Sequence, residues 1–144
     1  MRFSIFVSFL FCANCFAQIF ESIPESYSGI RFKNSLVETQ EENIISYEYF
    51  FNGGGVGAGD LNNDGLTDLI FISNQEDPHI YINQGDLQFI EISKKAGLSN
   101  LRGWKTGVAL ADVNNDGWLD FYISFSGKYP PNKRRNKLFI NQKI

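Results

Sequence analysis

Two short stretches rich in acidic and amide side chains have the residue types and spacing of a metal-binding loop. The first reads Asp-Leu-Asn-Asn-Asp-Gly-Leu-Thr-Asp over residues 60–68, and the second reads Asp-Val-Asn-Asn-Asp-Gly-Trp-Leu-Asp over residues 112–120. Both place side-chain oxygens at the first, third, fifth and ninth positions and a glycine at the sixth. Ca²⁺ takes several hard oxygen ligands, and glycine allows the sharp bend that turns those oxygens toward one centre. The sequence therefore predicts two calcium sites.

The charge of each stretch supports the same interpretation. Three carboxylates held close together repel one another strongly unless a cation lies among them. The alternative is that these residues only form Asx turns between strands and bind no metal, which the repetition of the whole pattern disfavours. The predicted side-chain ligands are Asp60, Asn62, Asp64 and Asp68 in the first loop, and Asp112, Asn114, Asp116 and Asp120 in the second.

An EF-hand is the other common calcium loop, and the sequence argues against it. An EF-hand needs a glutamate at its twelfth position and a helix on each side. The twelfth positions here are Phe71 and Ile123. Residues 55–59 before the first loop are glycine-rich, and residues 69–73 after it are mostly branched or aromatic, which is typical of strands. The loops are therefore predicted to lie at the tips of β-hairpins.

The strands around the loops repeat as well. A period of about 50 residues with four strands per unit is typical of a β-propeller blade. The predicted fold is all-β, with antiparallel four-stranded propeller-type blades, about one and a half to two of them, in residues 55–105 and in a truncated second repeat, 106–144. The predicted strands are 55–60, 69–73, 79–83 and 87–92, then 106–111, 120–125 and 137–141, with 29–32 and 44–51 in an N-terminal extension, 18–54.

Residues 1–17 are typical of a secretory signal peptide. Arg2 precedes an apolar run over residues 3–11, and a small-residue cleavage site ends at Ala17. The run is shorter than the roughly 20 residues that span a bilayer, so no transmembrane segment is predicted. Cleavage would remove Cys12 and Cys15, the only cysteines, and the loss of Arg2 would change the net charge from −3 to −4. The predicted mature protein is secreted, has no disulfide, and has no charge pattern for nucleic acid.

Longer motifs around the loops show a family resemblance. They are Tyr-Glu-Tyr-Phe-Phe-Asn-Gly-Gly-Gly-Val at 47–56, Ala-Gly-Leu at 96–98, Gly-Trp-Lys-Thr-Gly-Val at 103–108 and Ser-Gly-Lys-Tyr-Pro-Pro-Asn-Lys-Arg-Arg at 126–135. With the two loops, they resemble the FG-GAP/VCBS repeats of integrin-α-like propellers, and in particular secreted bacterial proteins of the ASPIC/UnbV group. The resemblance covers residues 28–144. It implies bound Ca²⁺ in both loops, with the backbone carbonyls of Leu66 and Trp118 as further ligands.

The resemblance also implies a longer parent protein. A closed propeller of this type has about seven blades, and this chain encodes fewer than two. We therefore predict either an N-terminal fragment whose further blades lie in a longer chain or a truncated reading frame.

Other candidate residues give weaker signals. A basic cluster could bind an anionic sugar or phosphate, although such runs are more often simply solvated. Trp104 and Trp118 could stack on a carbohydrate, although packing is expected. His79 is the only histidine and has no nucleophile motif beside it, so no catalytic residue is predicted. The basic cluster consists of Lys128, Lys133, Arg134, Arg135 and Lys137.

Three functions fit these observations. The first is a secreted, non-catalytic, calcium-binding propeller module that binds an extracellular protein or a carbohydrate. The second is a non-catalytic part of a longer extracellular enzyme, for example one active on polysaccharides, whose active site lies outside this chain. The third is a structural piece whose loops never fill. The first is the favoured hypothesis.

Overall fold

A computed structural model describes residues 20–143, which form two antiparallel β-sheets packed against each other. The predicted signal peptide, 1–17, lies outside the described residues. Within the described part, no helix combines the length and the apolar character needed to cross a membrane.

The first sheet has four strands in the order of the sequence. Its strands pair antiparallel, so that Gly57 of the first lies opposite Ile70 of the second, and Ile70 lies opposite Ile80 of the third. The strands are β1 (Gly55–Gly59), β2 (Asp68–Ile72), β3 (His79–Asn83) and β4 (Phe89–Glu91).

The second sheet repeats this arrangement with three strands, β5 (Trp104–Ala111), β6 (Asp120–Ser126) and β7 (Lys137–Phe139). The other elements are a single helical turn, α1 (Glu25–Ser28), and a 3₁₀ turn (Pro131–Lys133). The all-β prediction is confirmed, and the two sheets are consistent with propeller-type blades. The strand over 79–83 has the predicted bounds, and the others differ by a few residues at their ends.

The glycines of β1 allow the two sheets to approach closely. A side chain on Gly55 would begin 2.9 Å from the Cα of Gly107, and one on Gly57 would overlap the side chain of Leu110. Glycine at these positions leaves room for the residues of β5 to pack directly on the backbone of β1. The core between the sheets is formed by buried aliphatic and aromatic residues from both sheets and from the loops beside them: Leu61, Ile70, Ile72, Ile80, Ile82, Leu98, Leu101, Ile123 and Phe125.

The predicted strand over 44–51 is wrong, since this segment forms turns. The side-chain Oδ1 of Asn43 accepts hydrogen bonds from the backbone N–H groups of Ile45 and Ser46. The N–H of Tyr47 donates to the carbonyl of Asn43. Local bonds of this kind compete with sheet pairing. The segment contributes to the core by burying Phe50, whose ring lies 4.9 Å from that of Trp104.

The predicted strand over 29–32 is also wrong, because side chains rather than a neighbouring strand bind its backbone. The N–H of Ile30 donates to Ser28 Oγ, and that of Arg31 donates to the hydroxyl of Tyr81. The described residues of the N-terminal extension therefore contain no strand.

Candidate metal centre

The two acidic loops have the same backbone conformation. Asn63 and Asn115, the fourth residues, have φ of 57° and 59°, and Gly65 and Gly117, the sixth, both have φ of 86°. These are left-handed conformations, which glycine and asparagine adopt more readily than other residues. The asparagine and glycine at these positions therefore allow each loop to fold back on its first aspartate.

The first loop gathers three polar side chains around its own backbone. The N–H of Asp64 lies 3.2 Å from Asp60 Oδ1 and 3.2 Å from Asn62 Oδ1. The N–H of Gly65 donates to Asp60 Oδ2 at 2.9 Å, and that of Leu66 donates to Asp64 Oδ1 at 2.8 Å. Asn62 Nδ2 reaches Asp64 Oδ2 at 2.8 Å. The oxygens of the first, third and fifth positions thus converge.

The second loop repeats these bonds. The N–H of Asp116 lies 3.1 Å from both Asp112 Oδ1 and Asn114 Oδ1. The N–H groups of Gly117 and Trp118 donate to Asp112 Oδ2 and Asp116 Oδ1, at 2.8 and 3.0 Å. Asn114 Nδ2 reaches Asp116 Oδ2 at 3.2 Å. The two stretches are therefore equivalent in contacts as well as in sequence.

The ninth aspartates lie apart from these groups, at the base of each loop. Asp68 and Asp120 are both fully buried. Asp68 accepts the backbone N–H groups of Leu61 and Asn83, both at 2.8 Å. Burial raises the pKa of Asp68, as do the charges of Asp64 and Asp60, while the two backbone bonds act against the increase.

Asp120 makes the same two bonds in the second repeat. It accepts the N–H of Val113 at 3.1 Å and that of Asn141 at 2.8 Å. Each ninth aspartate therefore ties the start of its loop to the chain at the end of the third strand of its sheet (Asn83) or just beyond it (Asn141). A carboxylate oxygen has more than one acceptor site, so these bonds leave it with capacity for another ligand.

Between residues 20 and 143, no group of three or more His, Cys, Asp or Glu residues is arranged to hold a metal ion. Each loop instead brings together two carboxylates and one amide oxygen, with the third carboxylate bonded to the backbone. All of these donors are hard oxygens, which is the ligand chemistry of Ca²⁺. The residues therefore fit calcium by donor type.

The two loops are in direct contact, which the sequence did not predict. Asn63 Nδ2 donates to the carbonyl of Gly117 at 3.0 Å. Asn141 Nδ2, at the end of the second sheet, donates to the carbonyl of Leu61 at 2.8 Å and to that of Leu119 at 3.2 Å. Asn63 and Asn141 belong to the repeated pattern, but only packing of the two sheets reveals that they join the loops.

The two tryptophans have different surroundings. Trp104 is buried, with its ring against those of Phe50 and Tyr47, as expected of a packing residue. Trp118 is half-buried in the second acidic loop.

The remaining candidate residues lie outside the loops. The ring of His79 lies 5.5 Å from that of Phe32, and its Nδ1 lies 3.0 Å from Glu91 Oε1. The basic cluster, Lys128, Lys133, Arg134, Arg135 and Lys137, is exposed.

Comparison with known proteins supports a repeat of one particular kind. Residues 60–123 match the model of the FG-GAP-like repeat. The chain is also similar to cartilage acidic protein 1 of Xenopus tropicalis, with 33% identity over 82 residues, and to the human protein with the same identity. The mouse protein is 34% identical over 79 residues. The matches cover 54–56% of this chain but only 12% of each relative.

Proposed function

We propose that this chain, an FG-GAP-like repeat protein over residues 60–123, is a non-catalytic calcium-binding module of an extracellular protein. In this proposal each loop binds one Ca²⁺, and the paired sheets present a surface for a protein or carbohydrate ligand. The ion would neutralise the loop carboxylates and fix the hairpin tip. The residues that would hold the ions are Asp60, Asn62, Asp64, Leu66 and Asp68 in the first loop, and Asp112, Asn114, Asp116, Trp118 and Asp120 in the second.

The observation that supports calcium most directly is the identity of the two hydrogen-bond networks. Asp60 and Asp64 point their oxygens into the same loop, and each oxygen is held by a backbone or amide N–H. Preformed loops need little rearrangement to accept an ion, and this lowers the entropic cost of binding. Partial positive charges on the N–H groups stabilise the carboxylates only weakly, whereas a divalent cation would do so strongly.

An extracellular location is supported by the relatives and by the predicted signal peptide. The matched vertebrate proteins are named for cartilage. The finer assignment, to the secreted bacterial ASPIC/UnbV group, depends on the motifs at 47–56 and 126–135. Because the match spans 12% of the length of each relative, the further blades of a longer protein belong to this proposal too.

A non-catalytic role is supported by the contacts of the candidate side chains. The imidazole of His79 packs beside Phe32 and Tyr81, and the indole of Trp104 is buried. A base needs a nucleophile or a substrate proton within hydrogen-bond reach. His79 faces Glu91 instead, so we assign it a packing role.

Calcium titration of the full chain by calorimetry tests the proposal. We expect two binding events with Kd of about 10⁻⁴–10⁻³ M, the range of extracellular calcium modules. Asp64→Asn and Asp116→Asn should each abolish one event, and the double variant should abolish both. Asparagine keeps an acceptor for the N–H of Leu66 or Trp118 and loses only the acceptor for the side-chain amide of Asn62 or Asn114. The loop therefore retains its backbone bonds while losing the charge.

Asp86→Asn is the matched control, because it removes an acid with positive φ in the turn between β3 and β4. Its titration should equal that of the unmodified chain. Equal calcium binding by the double variant and the unmodified chain would refute the proposed sites. A midpoint of thermal unfolding that does not rise with calcium would favour loops that never fill.

A further inference from the structure

We propose that a pocket at the start of β5 binds one unit of a neutral carbohydrate. The pocket, called here the aromatic pocket, has a volume of about 110 Å³, and its walls come from residues 41–50, from Trp104 and from the loop after β6. Four aromatic residues line it: Tyr47, Phe50, Trp104 and Tyr129. The inference rests on the proposed binding function, since it locates the ligand of that module, and it does not require calcium in the acidic loops.

Two nearly buried rings form a rigid part of the wall. Phe50 and Trp104 are 1% and 2% exposed, and their ring centroids lie 4.9 Å apart. Tyr47 meets Trp104 edge-on at 5.7 Å, and its hydroxyl donates to Ser126 Oγ at 3.2 Å. These rings are held by one another and by a hydrogen bond, so a ligand would meet a preformed surface and lose little entropy in ordering it.

Tyr129 and Glu42 form a second part of the wall and tie two distant segments together. The Tyr129 hydroxyl donates to Glu42 Oε1 at 2.6 Å, and Gln75 Nε2 donates to Glu42 Oε2 at 3.1 Å. Burial raises the pKa of Tyr129, as do its bond to Glu42 and the charge of that carboxylate, so the phenol remains a donor. Among the described residues each carboxylate oxygen of Glu42 accepts one bond, so each keeps capacity for a hydroxyl donor of a ligand.

The aromatic pocket also has an unused donor, the indole N–H of Trp104. Within residues 20–143 this group donates to no acceptor, and it is not one of the polar atoms that are fully sealed from solvent. The N–H of a tryptophan that is buried this deeply usually has a partner. Since Trp104 lines the pocket, an oxygen acceptor on a ligand would supply the missing bond.

Charged side chains of both signs around the pocket favour a ligand without net charge. Lys128 lines the pocket, and Lys133 Nζ lies 5.9 Å from the centroid of the Tyr129 ring, so a cation would be repelled there. Glu41 and Glu42 also line the pocket and would repel an anion. A neutral ligand with several hydroxyls fits both signs, because a hydroxyl donates to a carboxylate and accepts from an ammonium or an indole N–H.

A sugar unit combines such hydroxyls with an apolar face. The C–H groups on one side of a pyranose ring can pack on the half-buried rings of Tyr47 and Tyr129, which removes apolar surface from water. The volume limits the ligand to part of one unit, since pockets for drug-sized ligands measure about 300–1,000 Å³. With about 12 non-hydrogen atoms at the efficiency of small ligands, we expect a Kd on the order of 1 mM.

The experiment titrates the isotope-labelled full chain with the methyl glycosides of glucose, galactose, mannose and N-acetylglucosamine at fixed calcium, and follows the indole N–H signals by NMR. Trp104→Phe assigns the signals of the two tryptophans. At least one sugar should shift the Trp104 signal saturably, with a Kd on the order of 1 mM. Trp118, half-buried in the second acidic loop, is the internal control, and its signal should not shift.

Three outcomes of this titration would overturn the proposal. The first is a Trp104 signal that no sugar shifts, and the second is an equal shift of both indole signals. The third is a shift caused by tetramethylammonium chloride or sodium phosphate but by no sugar, which would assign the pocket to charged ligands.

Tyr129→Ala tests the wall of the pocket, and Tyr27→Ala is the matched control, since Tyr27 is a half-exposed tyrosine outside the pocket. The first change should weaken sugar binding about tenfold or more, and the control should leave the Kd unchanged. If circular dichroism shows that Tyr129→Ala has lost its sheets, Glu42→Gln takes its place, because it keeps an acceptor for the Tyr129 hydroxyl and removes the charge. A folded wall variant with an unchanged Kd would overturn the proposal.

The same titration with calcium chelated separates this inference from the proposed function. Two calcium-binding events without any sugar binding would refute the proposed ligand of the pocket alone. Sugar binding by a chain that takes up no calcium would refute the proposed calcium sites and leave the pocket supported.

Discussion

The two sheets contain the same repeat in different surroundings. In both, the buried ninth aspartate binds the backbone at the start of its loop and at, or just beyond, the end of the third strand. Among the described residues, only the first sheet has a fourth strand, and only its Phe71 is packed against a residue of the N-terminal segment, Phe32. Tyr122 and Leu138 of the second sheet are exposed. The repeat itself therefore specifies the loop and its buried ninth aspartate, called here the anchor. The packing over the first sheet is added by a segment outside the repeat.

The largest effect is expected from removing the anchors. Asp68→Ala and Asp120→Ala should each lower the free energy of unfolding by about 2–4 kcal/mol, because each leaves two backbone N–H groups without their acceptor. Urea unfolding followed by circular dichroism would measure this. Similar losses at both positions would support the equivalence of the repeats.

The isosteric changes Asp68→Asn and Asp120→Asn are the matched controls. Each retains one side-chain oxygen as acceptor, so each should cost less than the alanine change at the same position. A large decrease in the free energy of unfolding at only one of the two positions would show that the surroundings of the aspartate, rather than the repeat, determine its role.

A smaller effect should distinguish the two first strands. Gly57→Val should destabilise the chain by about 1–3 kcal/mol, because the added methyl groups would overlap Leu110 in the interface between sheets. Ala109, at the corresponding position of the second sheet, is exposed. Ala109→Val should therefore leave stability nearly unchanged, as is usual for surface substitutions. Thermal unfolding of both variants measures the contrast, and equal losses would mean that the two positions have equivalent surroundings.

The last effect is a dependence of stability on pH, small over any single pH unit, and it concerns Lys105, which has no counterpart in the first repeat, where Gly53 is in its place. Lys105 is fully buried, and its Nζ donates to the carbonyls of Leu101 and Gly103. Burial lowers its pKa from 10.5 to about 8. The unfolded chain therefore binds more protons than the folded chain between these values, and stability should rise with pH.

The expected slope is at most about 1.4 kcal/mol per pH unit, the free energy of one pKa unit. Urea unfolding at several pH values between the two pKa values would measure it, and the same series on Lys105→Met should lack this contribution. An unchanged pH dependence in that variant would show that Lys105 titrates normally.

The sequence predicted the strands of the repeats well, because glycines and alternating apolar residues flank each loop. It failed at 44–51. Large apolar residues there would lie on both faces of a strand, so the pattern does not show the alternation of a strand with one buried face. Asn43 starts a turn there instead. The packing of Phe32 on the first sheet was not predicted either, because its partners Phe71 and His79 are distant in sequence.

For the candidate site, the loop pattern predicted which side chains converge at the first, third and fifth positions. It did not predict that the ninth aspartate accepts hydrogen bonds from two backbone N–H groups. A carboxylate serves equally well as a hydrogen-bond acceptor and as a metal ligand, so the residue type does not distinguish the two roles. The bond between Asn63 and Gly117 was unpredictable for another reason. It exists only because the two sheets pack side by side.

The hydrogen bonds of the Asn74 side chain have a consequence for how the chain unfolds. It accepts from Asn34 Nδ2 and donates to the carbonyls of Gly53 and Lys105, and all three bonds are 2.7–2.8 Å long. Stacked repeats that touch only their neighbours can unravel one at a time. Here one buried amide joins the N-terminal segment, the approach to β1 and the start of β5. The amide protons of both sheets should therefore exchange with solvent as a single cooperative block.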